Sequence, residues 1–453
     1  MKNRIRISAV LLCLAPVLAL SQDWNPGPIE SFTLDNGLQV VLYRDTTLPL
    51  AAVDISYRAG SQRDVYGKHG LANLAGTILA SGTPGIPLRR MMKIMDSADA
   101  TYGFMIDVDR LQFWSLGSSA SLRSLLHIEA DRMQFPPEDI TQALFDSTKQ
   151  FVLHRLEQKS DAPSFQMKAT IYQAMYPPDH PYAYLSEGLK KDLALVSVQD
   201  VRDFIRSFIR PNTASLCIGG NISFVETRKL VEDLFGSIPG GETQYYTPVE
   251  PPAPMQKPLR FHTAAPIKYT ALSLIWHSAP MGSVDEAALF VLARILAGTQ
   301  QSRLQKALVQ KNLARSVQTN QMSLVQDGMF WCSINSGQET NLLLVYNTVM
   351  NTLQDLMTAP PTRDEVQIAA NTLQRELYGM LEMLGGPGSR TYSFNTGSCF
   401  LDDPAYMQKL IRDIRTVTPP EISRVARKYL RPTNNTAFSL VPATRPGLAL
   451  PEE

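Results

Sequence analysis

The chain has few cysteines, no long apolar run in its body and no excess of charge, and each scarcity excludes a class of protein. Of its 453 residues only four are cysteines, and none has C-x-x-C spacing, so a disulfide framework or zinc knuckle is not expected. We expect Cys217, Cys332 and Cys399 to be buried free thiols, although one pair could be bridged. Beyond the N-terminus, no segment reaches the roughly 18 apolar residues of a membrane span. The net charge of +1 argues against nucleic acid as the main partner.

The six histidines also exclude the usual helical zinc motifs. Those motifs place two imidazoles four residues apart on one helix face, and no two histidines of this chain have that spacing. They lie at His69, His127, His154, His180, His262 and His277. No G-x-S-x-G elbow is present, and no cysteine has a recognisable catalytic context. The cluster GGPGSR (385–390) does not follow a strand and lacks the P-loop lysine, so it indicates a helix break or turn.

The N-terminus has the features of a secretory signal peptide. MKNRIR is basic, SAVLLCLAPVLAL is apolar, and Ala19-Leu20-Ser21 gives a cleavage site before Gln22. Cys13 follows Leu12 and not the small residue that a lipoprotein site prefers, so no lipid anchor is expected. We therefore predict a signal peptide at 1–21 and export to a bacterial periplasm.

The chain contains an internal repeat. VSVQDVRDFIRSFIRPNTA begins at Val196, and VTPPEISRVARKYLRPTNNTA begins at Val417, 221 residues later. Each copy opens with a predicted capping box and continues as an amphipathic helix until Arg-Pro ends it. ILASGT at Ile78 and ILAGT at Ile295 recur at a similar offset. Two matches at nearly one spacing predict two homologous halves.

Strand and helix patterns interleave in both halves. LQVVLYRD, AAVDISYRAG and TALSLIWHSA predict strands, and VDEAALFVLARILAG predicts a buried helix capped by Ser283 and ended by Gly298. The fold class expected is therefore α+β, with two homologous α/β-sandwich domains whose helices pack on a largely antiparallel sheet. The predicted boundaries are 22–238 for the first domain, 239–258 for a proline-rich linker, 259–442 for the second domain and 443–453 for a loose tail.

With these features in view, the chain resembles the pitrilysin/insulinase-type metallopeptidases, specifically the short two-domain members that work as pairs of chains. The similar stretches occur in the family's order and cover nearly the whole mature chain: FTLDNGLQVVLYRDTTLPLAAVDISYRAGSQRD (32–64), HGLANLAGTILASGT (69–83), HPYAYLSEG (180–188), RPN (210–212) and SRL (302–304). The resemblance implies a metallopeptidase-like half clamshell.

This sequence departs from the family at its zinc motif, H-x-x-E-H. In the family frame the two zinc-binding histidines fall on Asn73 and Thr77, and the catalytic glutamate falls on Gly76. Asparagine and threonine are poor zinc ligands, and glycine supplies no base. We predict that the helix is retained because it packs on the first sheet, and that the three motif positions lie on its exposed face. No catalytic or metal-binding residue is therefore assigned.

The other reactive groups of the family are also absent in this frame. The third zinc ligand, a glutamate, falls on His154 or Arg155, with Glu157 one turn away. The family's substrate-binding arginine falls on Val309, and its tyrosine falls near Arg315, which is a weak candidate for contact with a substrate carbonyl. The pair His154 and Glu157 is better explained as a solvated helix face than as half of a metal site.

The resemblance favours a non-catalytic subunit. A homologous two-domain chain that carries H-x-x-E-H would supply zinc and complete a chamber for peptide substrates, with no cofactor on this chain. This subunit would hold peptide along an exposed sheet edge. One alternative is a scaffold or peptide-binding module in another envelope complex. A second is an active hydrolase with unrecognised ligands near His69 or His154.

Overall fold

The computed structural model of the protein describes residues 27–242 and 257–451, with residues 252 and 255 between them. The predicted signal peptide and most of the predicted linker lie outside the described residues. Two sheets form the framework. The strands of sheet 1 are β1 (Ile29–Thr33), β2 (Gln39–Arg44), β3 (Leu50–Tyr57), β4 (Thr101–Ile106), β5 (Leu111–Ser118) and β6 (Ala214–Gly220). Those of sheet 2 are β7 (Leu259–Ala265), β8 (Thr270–Ser278), β9 (Ser316–Ser323), β10 (Gly328–Ser336) and β11 (Thr436–Pro442).

The two sheets repeat one topology. Sheet 1 has the order β1-β2-β6-β3-β5-β4, and sheet 2 has the order β7-β11-β8-β10-β9, so among the described residues the second sheet matches the first except for β1. In each sheet one neighbouring pair is parallel, β2 with β6 and β7 with β11, and the other pairs are antiparallel. This correspondence, strand for strand, agrees with the homologous halves inferred from the repeat, and the predicted fold class is confirmed.

Helices cover the sheets in both halves. In the first half they are α1 (Leu71–Ala80), α2 (Leu88–Ser97), α3 (Leu122–Met133), α4 (Gln142–Ser160), α5 (Pro163–Met175), α6 (Lys190–Leu195), α7 (Val198–Phe208) and α8 (Phe224–Phe235). In the second half they are α9 (Glu286–Ala297), α10 (Leu342–Thr358), α11 (Arg363–Leu381), α12 (Arg390–Leu401), α13 (Tyr406–Thr416) and α14 (Pro419–Tyr429). None of the helices described is long and apolar enough to cross a membrane.

The repeated helices α7 and α14 begin and end as their sequences predict. Ser197 and Asp200 form a capping box at the start of α7, and Thr418 and Glu421 form one at the start of α14. In each box a hydroxyl and a carboxylate satisfy N–H groups that the first helical turn leaves free. Both helices end before an Arg-Pro pair, because proline lacks the N–H that would continue the helix.

Each half also covers the other half's sheet with one helix. Phe394 of α12, from the second half, packs on sheet 1 against Val41 and Cys217. Ile171 of α5, from the first half, packs on sheet 2 against Phe438. The main apolar core of each half lies on the opposite face of its own sheet. The two halves are therefore joined by reciprocal helices, which the sequence patterns did not predict.

Two local predictions are wrong. The helix α9 starts after Asp285 and not at Ser283, whose hydroxyl instead accepts a hydrogen bond from the Asp285 N–H; Gly298 does end it. The C-terminal tail is packed and not loose, because Leu450 is buried in the second core and its N–H donates to Ser439 Oγ at 3.1 Å. The sequence of this segment shows no helix or strand pattern, but burial of the Leu450 side chain is enough to hold it against the core.

Two other local predictions hold. Cys217, Cys332 and Cys399 are buried free thiols, as expected. The GGPGSR cluster is a turn between α11 and α12, with Gly386 and Gly388 at positive φ. Such backbone angles are easily reached only by glycine.

Candidate functional site

The helix α1 is held at its start by an aspartate from the preceding loop. Asp64 accepts hydrogen bonds from the N–H groups of Gly70 and Ala72, both at 2.7 Å. A carboxylate is favoured there because it satisfies free N–H groups and faces the positive end of the helix dipole. Enclosure by the surrounding chain nevertheless raises the pKa of Asp64 to about 7. This contact places Asn73, Gly76 and Thr77 at fixed positions along the helix.

Two of these three positions are buried, which corrects the prediction of an exposed face. A Cβ atom on Gly76 would lie 2.7 Å from Cδ1 of Leu111, a buried residue of β5. Thr77 is buried, and its hydroxyl donates to the Asn73 carbonyl oxygen at 2.8 Å. The prediction failed because α1 is apolar nearly all round and packs on strand and helix at once. Only Asn73 is partly exposed.

Asn73 lines a cleft of about 220 Å³ between α1, α4 and the strand β4. The cleft is lined by Asn73, Phe104, Ile106, Val152, Arg155, Leu156, Lys159, Ser186 and Glu187. Of the two candidates for the third motif position, Arg155 lines this cleft and His154 does not. His154 instead points its Nε2 to the Gln158 side chain at 2.8 Å on the exposed part of α4.

The cleft carries one cation that has no acidic partner. Lys159 is paired with Glu187 at 3.3 Å. Glu157 does not line the cleft and pairs instead with Lys190 at 2.5 Å. Arg155, by contrast, contacts no carboxylate of the described chain, and its guanidinium lies 5.7 Å from the ring centroid of Phe151. The charged groups that line the cleft are thus two cations and one carboxylate, which leaves it net positive.

The side chains at the motif positions do not fit zinc. Zinc sites in proteins use imidazole, thiolate and carboxylate ligands. This cleft offers an amide from Asn73, a guanidinium from Arg155, and no side chain at all from Gly76. Within residues 27–242 and 257–451, no group of three or more His, Cys, Asp or Glu side chains is arranged to hold a metal ion. Amide N–H and guanidinium groups are hydrogen-bond donors, which suit an anion better than a metal cation.

His69, the alternative metal-site candidate, has a structural environment. Its Nδ1 contacts Asp192 Oδ2, and its ring lies 3.8 Å from the ring of Tyr184, centroid to centroid. Asp192 also accepts from the His69 N–H at 3.4 Å. These contacts tie the loop before α1 to α6, through Asp192, and to the loop before α6, through Tyr184. The HPYAYLSEG stretch therefore supplies both Tyr184 for this contact and Ser186 for the cleft.

The strand β4 is the edge of sheet 1 beside the cleft. The N–H of Asp107 donates to the carbonyl oxygen of Arg110 across the β4–β5 turn. Along an antiparallel strand, residues that hydrogen-bond to the neighbouring strand alternate with residues that do not. The backbone N–H and C=O groups of Tyr102, Phe104 and Ile106 therefore point away from β5. The carbonyl oxygen of Ile106 accepts from Ser186 Oγ at 3.4 Å. The groups of Tyr102 and Phe104 have no partner in the described chain. They form a short open edge that ends at the cleft.

The predicted substrate-contact residue lies in the other half. Arg315 is exposed at the start of β9, which is the edge strand of sheet 2, and its N–H donates to the Asn335 carbonyl oxygen at 2.7 Å. Val309 ends a π-helical segment (Gln305–Val309) and packs against the second core. Neither residue lines the cleft beside α1, so the structure does not bring Arg315 together with Asn73.

The chain is similar to a known protein family and to two curated proteins. The family model described as "Peptidase M16 inactive domain" matches residues 196–373. The chain is 22% identical over 454 residues to a protein of Helicobacter pylori named zinc protease PqqE, with 97% of this chain and 99% of that protein covered. It is also 22% identical to the uncharacterized zinc protease YmxG of Bacillus subtilis, covering 91% of this chain and 98% of that protein.

Solved structures show the same fold. A protease from Helicobacter pylori matches with a TM-score of 0.83 and 20% identity, covering 92% of this chain and all of that one. A peptidase M16 inactive domain from Pseudomonas fluorescens matches with a TM-score of 0.81 and 18% identity, covering 91% and 98%. The periplasmic protease PqqL from Escherichia coli matches with a TM-score of 0.76 and 13% identity, over 93% of this chain and 48% of that one. PqqL is therefore about twice as long as this fold.

Proposed function

We propose that this chain, a pitrilysin-type (M16) peptidase-like protein of the inactive kind, is the non-catalytic, chamber-forming subunit of a two-chain zinc peptidase in the periplasm. The resemblance predicted from the sequence is confirmed by the family match, the curated relatives and the solved structures.

One observation carries the proposal. Beside the helix where the sequence frame predicts the family's zinc motif, this chain has a formed cleft and an open sheet edge, and Asn73 and Arg155 bring an amide and a guanidinium to the cleft. A peptide can pair with the edge of β4 through its backbone, while Asn73 and Arg155 supply no base and the Glu187 carboxylate is paired with Lys159. Binding without cleavage is the function that this combination supports.

The length of PqqL supports a two-chain assembly. That single chain spans about twice the length of this one at a common fold. Two chains of the present size would supply an equivalent amount of structure, with zinc bound by the partner's H-x-x-E-H. The periplasmic site of action rests on the predicted signal peptide at 1–21 and on the structural likeness to PqqL, a periplasmic protease.

The test is affinity purification of the tagged mature chain from its own periplasm, followed by mass spectrometry. We expect one co-purifying chain of similar size that carries H-x-x-E-H, and peptide cleavage by the pair that a chelator abolishes. An unrelated tagged periplasmic protein is the matched control. If only unrelated proteins co-purify, the two-chain peptidase is refuted and a scaffold role in another envelope complex is favoured.

A further inference from the structure

We propose that the cleft beside α1 is a carboxylate-binding subsite, in which Arg155 binds an aspartate or glutamate side chain of a peptide paired with β4. This inference rests on the peptide-binding part of the proposed function and names the class of peptide. It adds a specificity that the loss of the zinc motif alone does not imply.

The first step is the charge of the cleft. Because Lys159 is already paired with Glu187 at 3.3 Å, the Arg155 guanidinium is the cation left for a ligand. It contacts no carboxylate of the described chain and lies beside an aromatic ring. A guanidinium presents parallel N–H donors that match the two oxygens of a carboxylate, so an acidic side chain is its complementary partner.

The second step is the neutral donor set around it. Asn73 faces the cleft with an amide that can donate, and its backbone carbonyl is already used by Thr77. Ser186 is a further hydroxyl in the lining. Phe104 and Ile106 supply an apolar wall along β4. An acidic side chain placed here would find a cation and an amide donor, with its methylene groups against the apolar wall.

The third step selects a side chain over a chain terminus. Backbone groups of Tyr102 and Phe104 are open for pairing, whereas the Ile106 carbonyl is occupied by Ser186. The open edge therefore offers its hydrogen bonds alongside the cleft, where an extended peptide passes with alternate side chains directed to one face. A side chain can reach the cleft whichever way the peptide runs, while a C-terminal carboxylate fits one direction only.

The experiment compares two matched peptides on the full mature chain. Both are acetylated, amidated and carry a neutral coumarin label; one has the core Thr-Glu-Thr-Glu-Thr and the other Thr-Gln-Thr-Gln-Thr. Binding is measured by fluorescence anisotropy at low and at high salt. We expect the glutamate peptide to bind about tenfold more tightly at low salt, as for one charge-assisted hydrogen-bonded pair, and less of this preference at high salt.

Two variants locate the effect. Arg155→Gln should bring the preference close to one, chiefly by weakening the binding of the glutamate peptide. Arg123→Gln removes the same charge from an exposed position on α3, outside the cleft, and should leave both affinities as they are. Thermal unfolding of both variants checks that each is folded.

Several results would overturn the inference. Equal affinity for the two peptides, no binding of either, or a preference that survives Arg155→Gln each excludes a carboxylate subsite at Arg155. If the glutamine peptide gains the same tenfold when its C-terminus is a free carboxylate, the subsite binds chain termini and not side chains. A preserved preference together with no zinc-motif partner in the purification refutes only the two-chain assembly.

Discussion

The packing of Gly76 gives a prediction that separates steric from conformational effects. A Cβ atom at this position would lie 2.7 Å from Cδ1 and 3.5 Å from Cδ2 of Leu111. Favourable carbon–carbon contacts lie at about 3.5–4.0 Å, so Gly76→Ala overpacks the junction between α1 and β5. In a helix interior, however, alanine is favoured over glycine. The two effects therefore oppose each other at one residue.

Their magnitudes set the expected result. Overpacking a core costs about 1–3 kcal/mol, and replacing glycine with alanine in a helix gains about 0.5–1 kcal/mol. In the wild-type background Gly76→Ala should therefore be neutral to destabilising, by about 0–2.5 kcal/mol. In a Leu111→Ala background the close contact is gone, so the same substitution should stabilise by about 0.5–1 kcal/mol. The coupling between the two sites is then about 1–3 kcal/mol.

The assay is a double-mutant cycle on the full mature chain, followed by urea and thermal unfolding. For a unit of about 150–250 residues, 1 kcal/mol shifts the Tm by about 2–4 °C, which is measurable. An equal stability change in both backgrounds would refute the packing argument, and so would clear stabilisation of the wild type. The triple variant Asn73→His, Gly76→Glu, Thr77→His should likewise be less stable and gain no metal-dependent peptidase activity.

Three further predictions concern stability and burial. Glu365 accepts two hydrogen bonds from Arg303, at 2.8 and 3.1 Å, which hold the pKa of Glu365 at about 2. Because a lowered pKa stabilises the folded state at pH values above the unfolded pKa, Glu365→Gln should cost about 1 kcal/mol at pH 7. The difference in stability from the wild type, measured by urea unfolding, should vanish as the pH falls toward 2. Burial raises the pKa of Asp54 to about 6, so between about pH 4 and 6 the folded state holds a proton on this carboxyl that the unfolded state has lost. The free energy of unfolding should therefore fall as the pH rises from about 4 to about 6, and Asp54→Asn should flatten that change. A pH profile that is the same in Asp54→Asn and the wild type would contradict this prediction. Burial also raises the pKa of Cys332 to about 12 and that of Cys399 to about 11. These two thiols and the buried Cys217 should therefore react with Ellman's reagent only after denaturation. Rapid reaction of any of the three in the native chain would show that the thiol is accessible.

The capping and periodicity signals predicted the elements well because they act within a few residues. The Ser197 and Thr418 capping boxes form as expected, since each requires only a hydroxyl and a carboxylate three residues apart. The same locality explains the correct turn at 385–390. The repeat extended this reach to topology, because two homologous halves must share a strand order.

What the sequence did not predict depends on contacts between distant residues. Asn395 of α12 donates to the Asp54 carboxylate of β3 at 2.6 Å, across 341 residues of chain. No pattern in either segment indicates that α12 would cover sheet 1. In the same way, the burial of Gly76 and Thr77 depends on Leu111 and on neighbouring helices, so the helix pattern alone placed them wrongly on an exposed face. Which of His154 and Arg155 lines the cleft also depends on the orientation of α4.

These contacts bear on how the motif positions relate to catalysis. A glutamate at position 76 would need space that Leu111 occupies, and Leu111 belongs to a different element, β5. In the predicted frame, placing a carboxylate at position 76 therefore requires a coordinated change in the core beneath α1, in addition to ligands at 73, 77 and either 154 or 155. Asn73 and Arg155, by contrast, line a cleft and can change without disturbing the core. Gly76 and Thr77 are thus buried in packing contacts, while Asn73 and Arg155 are free to contact a ligand, and this division is compatible with the peptide-binding subunit proposed above.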